Sequence, residues 1–103
     1  MAKVKCPFKA SEIPEGAGKC FDVEGKKIAV FCYKGEYFAL DDTCPHEGGP
    51  LSEGFIENGE VECPWHGARF SLKTGEVLCG PATKGVNAYS CVKKGEELEL
   101  DIE

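Results

Sequence analysis

The two histidines of this chain each follow a cysteine at close range. One pair is Cys44-Pro45-His46, the other Cys63-Pro64-Trp65-His66, and sixteen residues separate His46 from Cys63. Thiolate and neutral imidazole are the common donors to zinc and iron–sulfur centres. If both pairs serve one centre, two loops must converge on a point and the rest of the chain must hold them there. Each cysteine is followed by proline, and each histidine has glycine shortly after it, which suits tight turns. A structural zinc site is one chemistry open to such a set. Zinc modules more often open with a C-x-x-C pair and supply both histidines later. Here each loop mixes the two donor types, which also permits a two-metal centre with both cysteines on one ion and both histidines on the other. Spacing alone leaves both chemistries open.

The segments around the loops read as strands. Residues 19–23 and 28–33 are short β-branched or aromatic runs split by E-G-K-K, the pattern of a hairpin, and 37–40 follows after the turn Lys34-Gly35. Near the C-terminus, 87–92 and 97–103 flank K-K-G-E. In the last of these, Leu98, Leu100 and Ile102 alternate with Glu97, Glu99, Asp101 and Glu103, which predicts a strand with one wet face. Apart from a short turn near residues 10–13, no segment holds a helical period. Between 41 and 82 the chain is dense in glycine and proline, with strand-like pieces only at 61–63, 70–72 and 76–78 and a turn at Thr74-Gly75. The expectation is a single domain over 1–103, all β, with a loop-rich subdomain at about 41–82 inserted into a strand framework.

Composition narrows the function. Hydrophobic residues at 42% and charged residues at 29% are ordinary for a globular chain, so disorder is not expected. A length of 103 residues supports a modest core, to which a bound metal centre would add stability. The net charge of −6 argues against nucleic acid and suits basic partner surfaces, although solubility explains it equally well. No stretch approaches the roughly 20 apolar residues of a membrane span. The first ten residues carry Lys3, Lys5 and Lys9 and no apolar run, so a cytoplasmic location without a signal peptide is expected. Seven cysteines, an odd count, then read as reduced thiols rather than a disulfide framework.

C-P-H at 44–46 and C-P-W-H-G at 63–67 resemble the C-x-H…C-x-x-H signature of Rieske proteins. The surrounding strands and Gly80-Pro81-Ala82 are similar to that family too, with Gly80-Pro81 in the place of the proline-bearing loop that covers the cluster. The resemblance implies a Rieske-type antiparallel β-sandwich or barrel and one [2Fe–2S] cluster. It places Cys44 and Cys63 on the inner iron and His46 and His66 on the outer iron. High-potential respiratory members carry an extra cysteine in each loop, joined as a disulfide. Gly49 and Trp65 stand at those places here. Those members also have Ser and Tyr donors after the second motif, where this chain has Ala68 and Phe70. The resemblance therefore implies a disulfide-free ferredoxin near the low end of the Rieske potential range.

With both histidines committed to the cluster, neither the mononuclear iron of a Rieske oxygenase nor a His-dependent catalytic set can be built. A monomeric one-electron carrier between a reductase and a terminal oxygenase is expected, and no enzyme. Alternatives are a small Rieske-like subunit of another redox enzyme such as nitrite reductase, or a structural zinc module. Of the remaining cysteines, Cys6 and Cys20 receive no assigned role. Cys32 and Cys91 fall in strand-like runs and are expected to pack as small hydrophobes. Cys79 is expected beside the cluster pocket, without ligating. Trp65 is expected to pack, with shielding of the cluster or contact with a partner as the alternative.

Overall fold

The computed structural model describes residues 3–43, 49–65, 67–79 and 85–102. Among these residues ten strands form two antiparallel sheets. The larger has the order β1-β10-β9-β4-β3-β2, built from β1 (Lys3–Lys5), β2 (Ala17–Val23), β3 (Lys26–Tyr33), β4 (Glu36–Asp41), β9 (Ala88–Lys94) and β10 (Glu97–Asp101). The smaller has the order β5-β6-β7-β8, from β5 (Phe55–Glu57), β6 (Glu60–Glu62), β7 (Arg69–Ser71) and β8 (Val77–Cys79). β4 and β9 are neighbours, with Ala39 opposite Tyr89 and Leu40 opposite Ala88. The small sheet is thus an insertion between two paired strands of the large one, and the expected all-β class is borne out.

The apolar run Ile28-Ala29-Val30-Phe31-Cys32 explains how the layers are held. Alternate side chains of a strand point to opposite faces, so a run without polar residues must be covered on both. Ala29 and Phe31 join Leu40 in a core shared with Leu51, Val61, Cys63, Ala68, Phe70 and Leu72 of the inserted region. Ile28, Val30 and Cys32 face a second core with Ala10, Ile13, Ala39, Leu98, Leu100 and Ile102. Phe31 and Phe70 are both fully buried, and each such side chain contributes on the order of 1.5–3 kcal/mol.

Three two-residue turns set the hairpin registers. Glu24-Gly25, Lys34-Gly35 and Asn58-Gly59 have positive φ at both positions, the backbone that matches the twist of antiparallel strands. Glu15 steadies the second turn by accepting from the N–H groups of Lys34 and Gly35. Those bonds hold its carboxyl below the usual carboxylate range.

Two strands escaped the sequence reading. β1 has only Val4 between Lys3 and Lys5, and β5 is three residues long. Neither offers a period to detect. The pieces expected at 61–63, 70–72 and 76–78 sit one residue away from β6, β7 and β8, because a three-residue strand has no interior to mark its ends.

Candidate metal centre

The first motif hangs from the end of β4. Asp42 is 3% exposed, and its backbone carbonyl and Oδ1 accept from the N–H groups of Leu51 and Ser52, each at 2.7 Å. Thr43 bridges to Pro50, so the ends of the intervening loop are pinned together. The second motif leaves β6. The Cys63 N–H donates to the Ala68 carbonyl at 2.7 Å, and the Gly67 N–H to the Cys63 carbonyl at 3.1 Å. These bonds fold 63–68 into a tight turn that requires the positive φ of Gly67.

The two loops meet at Gly49. A methyl group placed on its Cα would lie 2.9 Å from the Cys63 Sγ and 3.0 Å from the Trp65 Cγ. Only glycine fits there without displacing a neighbour. One loop therefore packs directly on the thiol and the indole of the other. Cys63 is 1% exposed, whereas Trp65 is 57% exposed. The thiol belongs to the core and the indole forms a rim, so Trp65 packs against Gly49 with one part and is open to solvent with the rest.

Leu51, Val61, Ala68 and Phe70 share a core with Cys63, and none of these four side chains can donate a hydrogen bond. This agrees with the reading of Ala68 and Phe70 as non-donors. Cys44, His46, His66 and the Gly80-Pro81 loop lie outside the described residues, as does the side chain of Cys79. Among the described residues no group of three His, Cys, Asp or Glu gathers as a metal site.

Outside the motif, Cys32 is buried, Cys6 and Cys91 are partly buried, and Cys20 is exposed. Burial pushes the Cys91 thiol up to about 12, with a smaller contribution from Cys6 nearby. Burial likewise raises Cys6 and Cys32. None of the three offers the low-pKa thiolate of a reactive cysteine.

Two features went unread in the sequence. Arg69 reaches Glu57, Glu60 and Glu62 at 3.3, 3.3 and 3.0 Å on the outer face of the small sheet, and these partners hold its guanidinium further above its usual range. The charges lie on three different strands, and only the register Glu62–Arg69 and Glu57–Glu60 reveals their proximity. Asp41 is the second. It accepts from Asn87 N–H at 3.1 Å and Tyr89 O–H at 2.6 Å, a contact between residues more than forty apart.

Comparison with known proteins agrees with this arrangement. The sequence model of the Rieske [2Fe-2S] domain family matches residues 3–90. The ferredoxin component of the naphthalene 1,2-dioxygenase system from Pseudomonas aeruginosa is 40% identical over 91 residues, covering 88% of each chain. The ferredoxin of carbazole 1,9a-dioxygenase from Nocardioides aromaticivorans superposes with a TM-score of 0.90 at 27% identity, covering all of both chains. A ferredoxin solved in complex with the oxygenase of carbazole 1,9a-dioxygenase gives 0.88 at 28% identity, over 98% of this chain and 94% of that one.

Proposed function

The chain belongs to the Rieske [2Fe-2S] domain family, and on that premise we propose that Cys44, His46, Cys63 and His66 hold its cluster. The two cysteines take the inner iron and the two histidines the outer. The protein is an electron carrier that passes single electrons from a reductase to a terminal oxygenase, working as a monomer in the cytoplasm. The observation that carries the ligand assignment is the contact of Gly49 with the Cys63 Sγ. It joins the loop that follows Cys44 and His46 to the buried thiol of the second motif, as a shared ligand set requires.

When bound, the cluster supplies a one-electron centre, and two neutral imidazoles in place of thiolates lift its potential above that of an all-cysteine cluster. The chain's own residues do the rest. Cys63, 1% exposed among Leu51, Val61, Ala68 and Phe70, excludes water from the inner side. These four side chains offer no donor to relieve sulfur charge, which favours the low end of the roughly −150 to +300 mV Rieske span. Trp65 and Phe55, 57% and 68% exposed, give a partner apolar contact next to the second ligand loop. Among the described residues no helix is long and apolar enough to cross a membrane.

Redox titration followed by EPR tests the reading. A reduced sample with a Rieske-type signal, lost in Cys44→Ser, His46→Ala, Cys63→Ser and His66→Ala but kept in Cys20→Ser, bears it out. A colourless, zinc-loaded protein sinks it, and a midpoint well above zero sinks the low-potential assignment. Reduction by a flavin reductase and reoxidation by a terminal oxygenase, each in stopped flow, test the direction of transfer.

A further inference from the structure

The turns β3–β4 and β5–β6 meet at one end of the molecule. β4 starts there at Glu36 and ends at Asp41, about 17 Å away at 3.4 Å per residue, and the first motif loop leaves from that far end. A methyl group on Gly59 would lie 4.0 Å from the Tyr33 Cε2, so the second turn rests on the ring that closes β3. Beside this contact, residues of both sheets line an open cavity of about 320 Å³. That is the small end of the roughly 300–1,000 Å³ range of small-molecule sites, and it suits one or two rings.

The lining has an apolar side and a donor-rich side. Tyr33 and Phe38, both partly buried, and the buried Leu72 supply the first. Lys34 and Lys73 dominate the second, and among the described residues neither makes an ion pair. The Lys34 Nζ stands 5.5 Å from the centre of the Tyr33 ring, so a cation and an aromatic face are already side by side. The Ser71 Oγ accepts from the Thr74 N–H at 3.3 Å, which leaves its own hydrogen to donate. Glu36 is the single acidic residue among the described lining, so two cations and one anion leave one positive charge unbalanced. The walls are set in advance. Glu15 accepts from the N–H groups of Lys34 and Gly35, and the Leu72 N–H donates to the Gly59 carbonyl at 3.0 Å. A ligand entering here orders little of the chain, which keeps the entropic cost of binding low.

We propose that this cavity binds a small aromatic monocarboxylate, with its ring against Tyr33 and Phe38 and its carboxylate held by Lys34 and Lys73. A monoanion balances the unmatched charge, and a neutral ring leaves it as it was. Because residues of both sheets line the site, an occupant ties the small sheet to the large one. The site is built from residues other than Cys44, His46, Cys63 and His66, so it stands or falls separately from the ligand assignment above.

The holoprotein is titrated with benzoate, with its uncharged isostere benzamide, and with acetate, which has the carboxylate and no ring. Calorimetry and backbone amide shifts report binding. Benzoate should move the amides of residues 33–38, 58–59 and 71–73 saturably, and benzamide and acetate should each bind about tenfold more weakly. Amide exchange over residues 55–62 should slow when benzoate is bound. Asparagine accepts the positive φ of position 34, so Lys34→Asn keeps the turn. Lys34→Asn and Lys73→Gln should each weaken benzoate about threefold, and Glu36→Gln should tighten it about twofold.

No saturation by about 10 mM benzoate overturns the site. Benzamide binding as tightly as benzoate overturns the carboxylate, and acetate doing so reduces the site to two surface lysines and overturns the aromatic class. Unchanged affinity in both lysine variants overturns their role. If a lysine variant fails to fold, Glu36→Gln decides: tighter benzoate upholds recognition by charge, and unchanged affinity overturns it.

Discussion

The two sheets are held by different means. In the large sheet β3 runs for eight residues and is buried on both faces, paired along its length to β2 and β4. The small sheet consists of four strands of three residues each. Pairing this short contributes little alone, and partly exposed ion pairs such as those of Arg69 add only modestly. Its inner row, Ile56, Val61, Phe70 and Val77, rests on the large sheet. Its other support is what the loops at its end hold. Under the proposed ligand assignment, Cys63 and His66 sit on the less self-sufficient half, where the cluster and the fold would stabilise one another.

Removing the cluster is the strongest way to break that contrast. Cys63→Ser should abolish cluster binding and leave an uncompensated hydroxyl in the shared core. Hydrogen exchange should then become fast over residues 55–79 while 17–41 and 88–101 stay protected. Equal protection of the two sheets without the cluster would show that the small one stands alone.

The opposite perturbation is Leu100→Ala, which opens the second core, away from the ligand loops. A loss of about 2–5 kcal/mol is expected, since Leu100 is fully buried. The visible absorbance per folded molecule should stay at its wild-type value until the whole chain unfolds. Absorbance bleaching well before far-UV ellipticity is lost would tie the cluster to the wrong core.

The same contrast governs what could be read from sequence. The large sheet was legible apart from the three-residue β1, because β2, β3, β4, β9 and β10 are long enough to show a period and its hairpins β2–β3, β3–β4 and β9–β10 turn at glycine. Leu98, Leu100 and Ile102 are buried as their alternation requires. The small sheet was legible only in outline, through the pieces near β6, β7 and β8 and the turn at Thr74-Gly75, while the three residues of β5 show no alternation. At the site, local spacing pointed to the ligand candidates, and the family resemblance singled out Ala68 and Phe70. Asp41, Asp42 and Arg69 were invisible because their roles arise from partners brought close only by the sheet topology.

Two smaller substitutions sharpen the picture at the junction itself. Gly49→Ala places a methyl group against the Cys63 Sγ and the Trp65 indole. The strain should cost about 1–3 kcal/mol and appear as weaker iron retention, whereas Gly25→Ala, with open space around it, should leave iron content unchanged. Phe70→Tyr offers a hydroxyl in the core that holds Cys63. The midpoint should move positive if the hydroxyl donates to a sulfur. A midpoint shifted negative, or none at all with the fold intact, would remove Phe70 as a determinant of the potential.

The smallest effect comes from the joint between β4 and β9. Burial, then the hydrogen bond to Asp41 and its charge, push the Tyr89 phenol from its ordinary value of 10 up to about 12. The phenol donates only while protonated. Its contribution is therefore fully present below pH 10 and is lost as pH rises through about 12. Tyr89→Phe should cost about 1 kcal/mol near neutrality, below the full range for a charged acceptor because the side chain is partly exposed. Cys91, raised in the same direction, titrates in both proteins and cancels in the difference. Denaturant midpoints of wild type and Tyr89→Phe, measured from pH 8 upward, should converge as pH passes 10. A gap that stays constant to the alkaline limit would mean that the hydroxyl contributes packing alone, and that the strand returning from 80–84 is held by the Asn87 backbone without it.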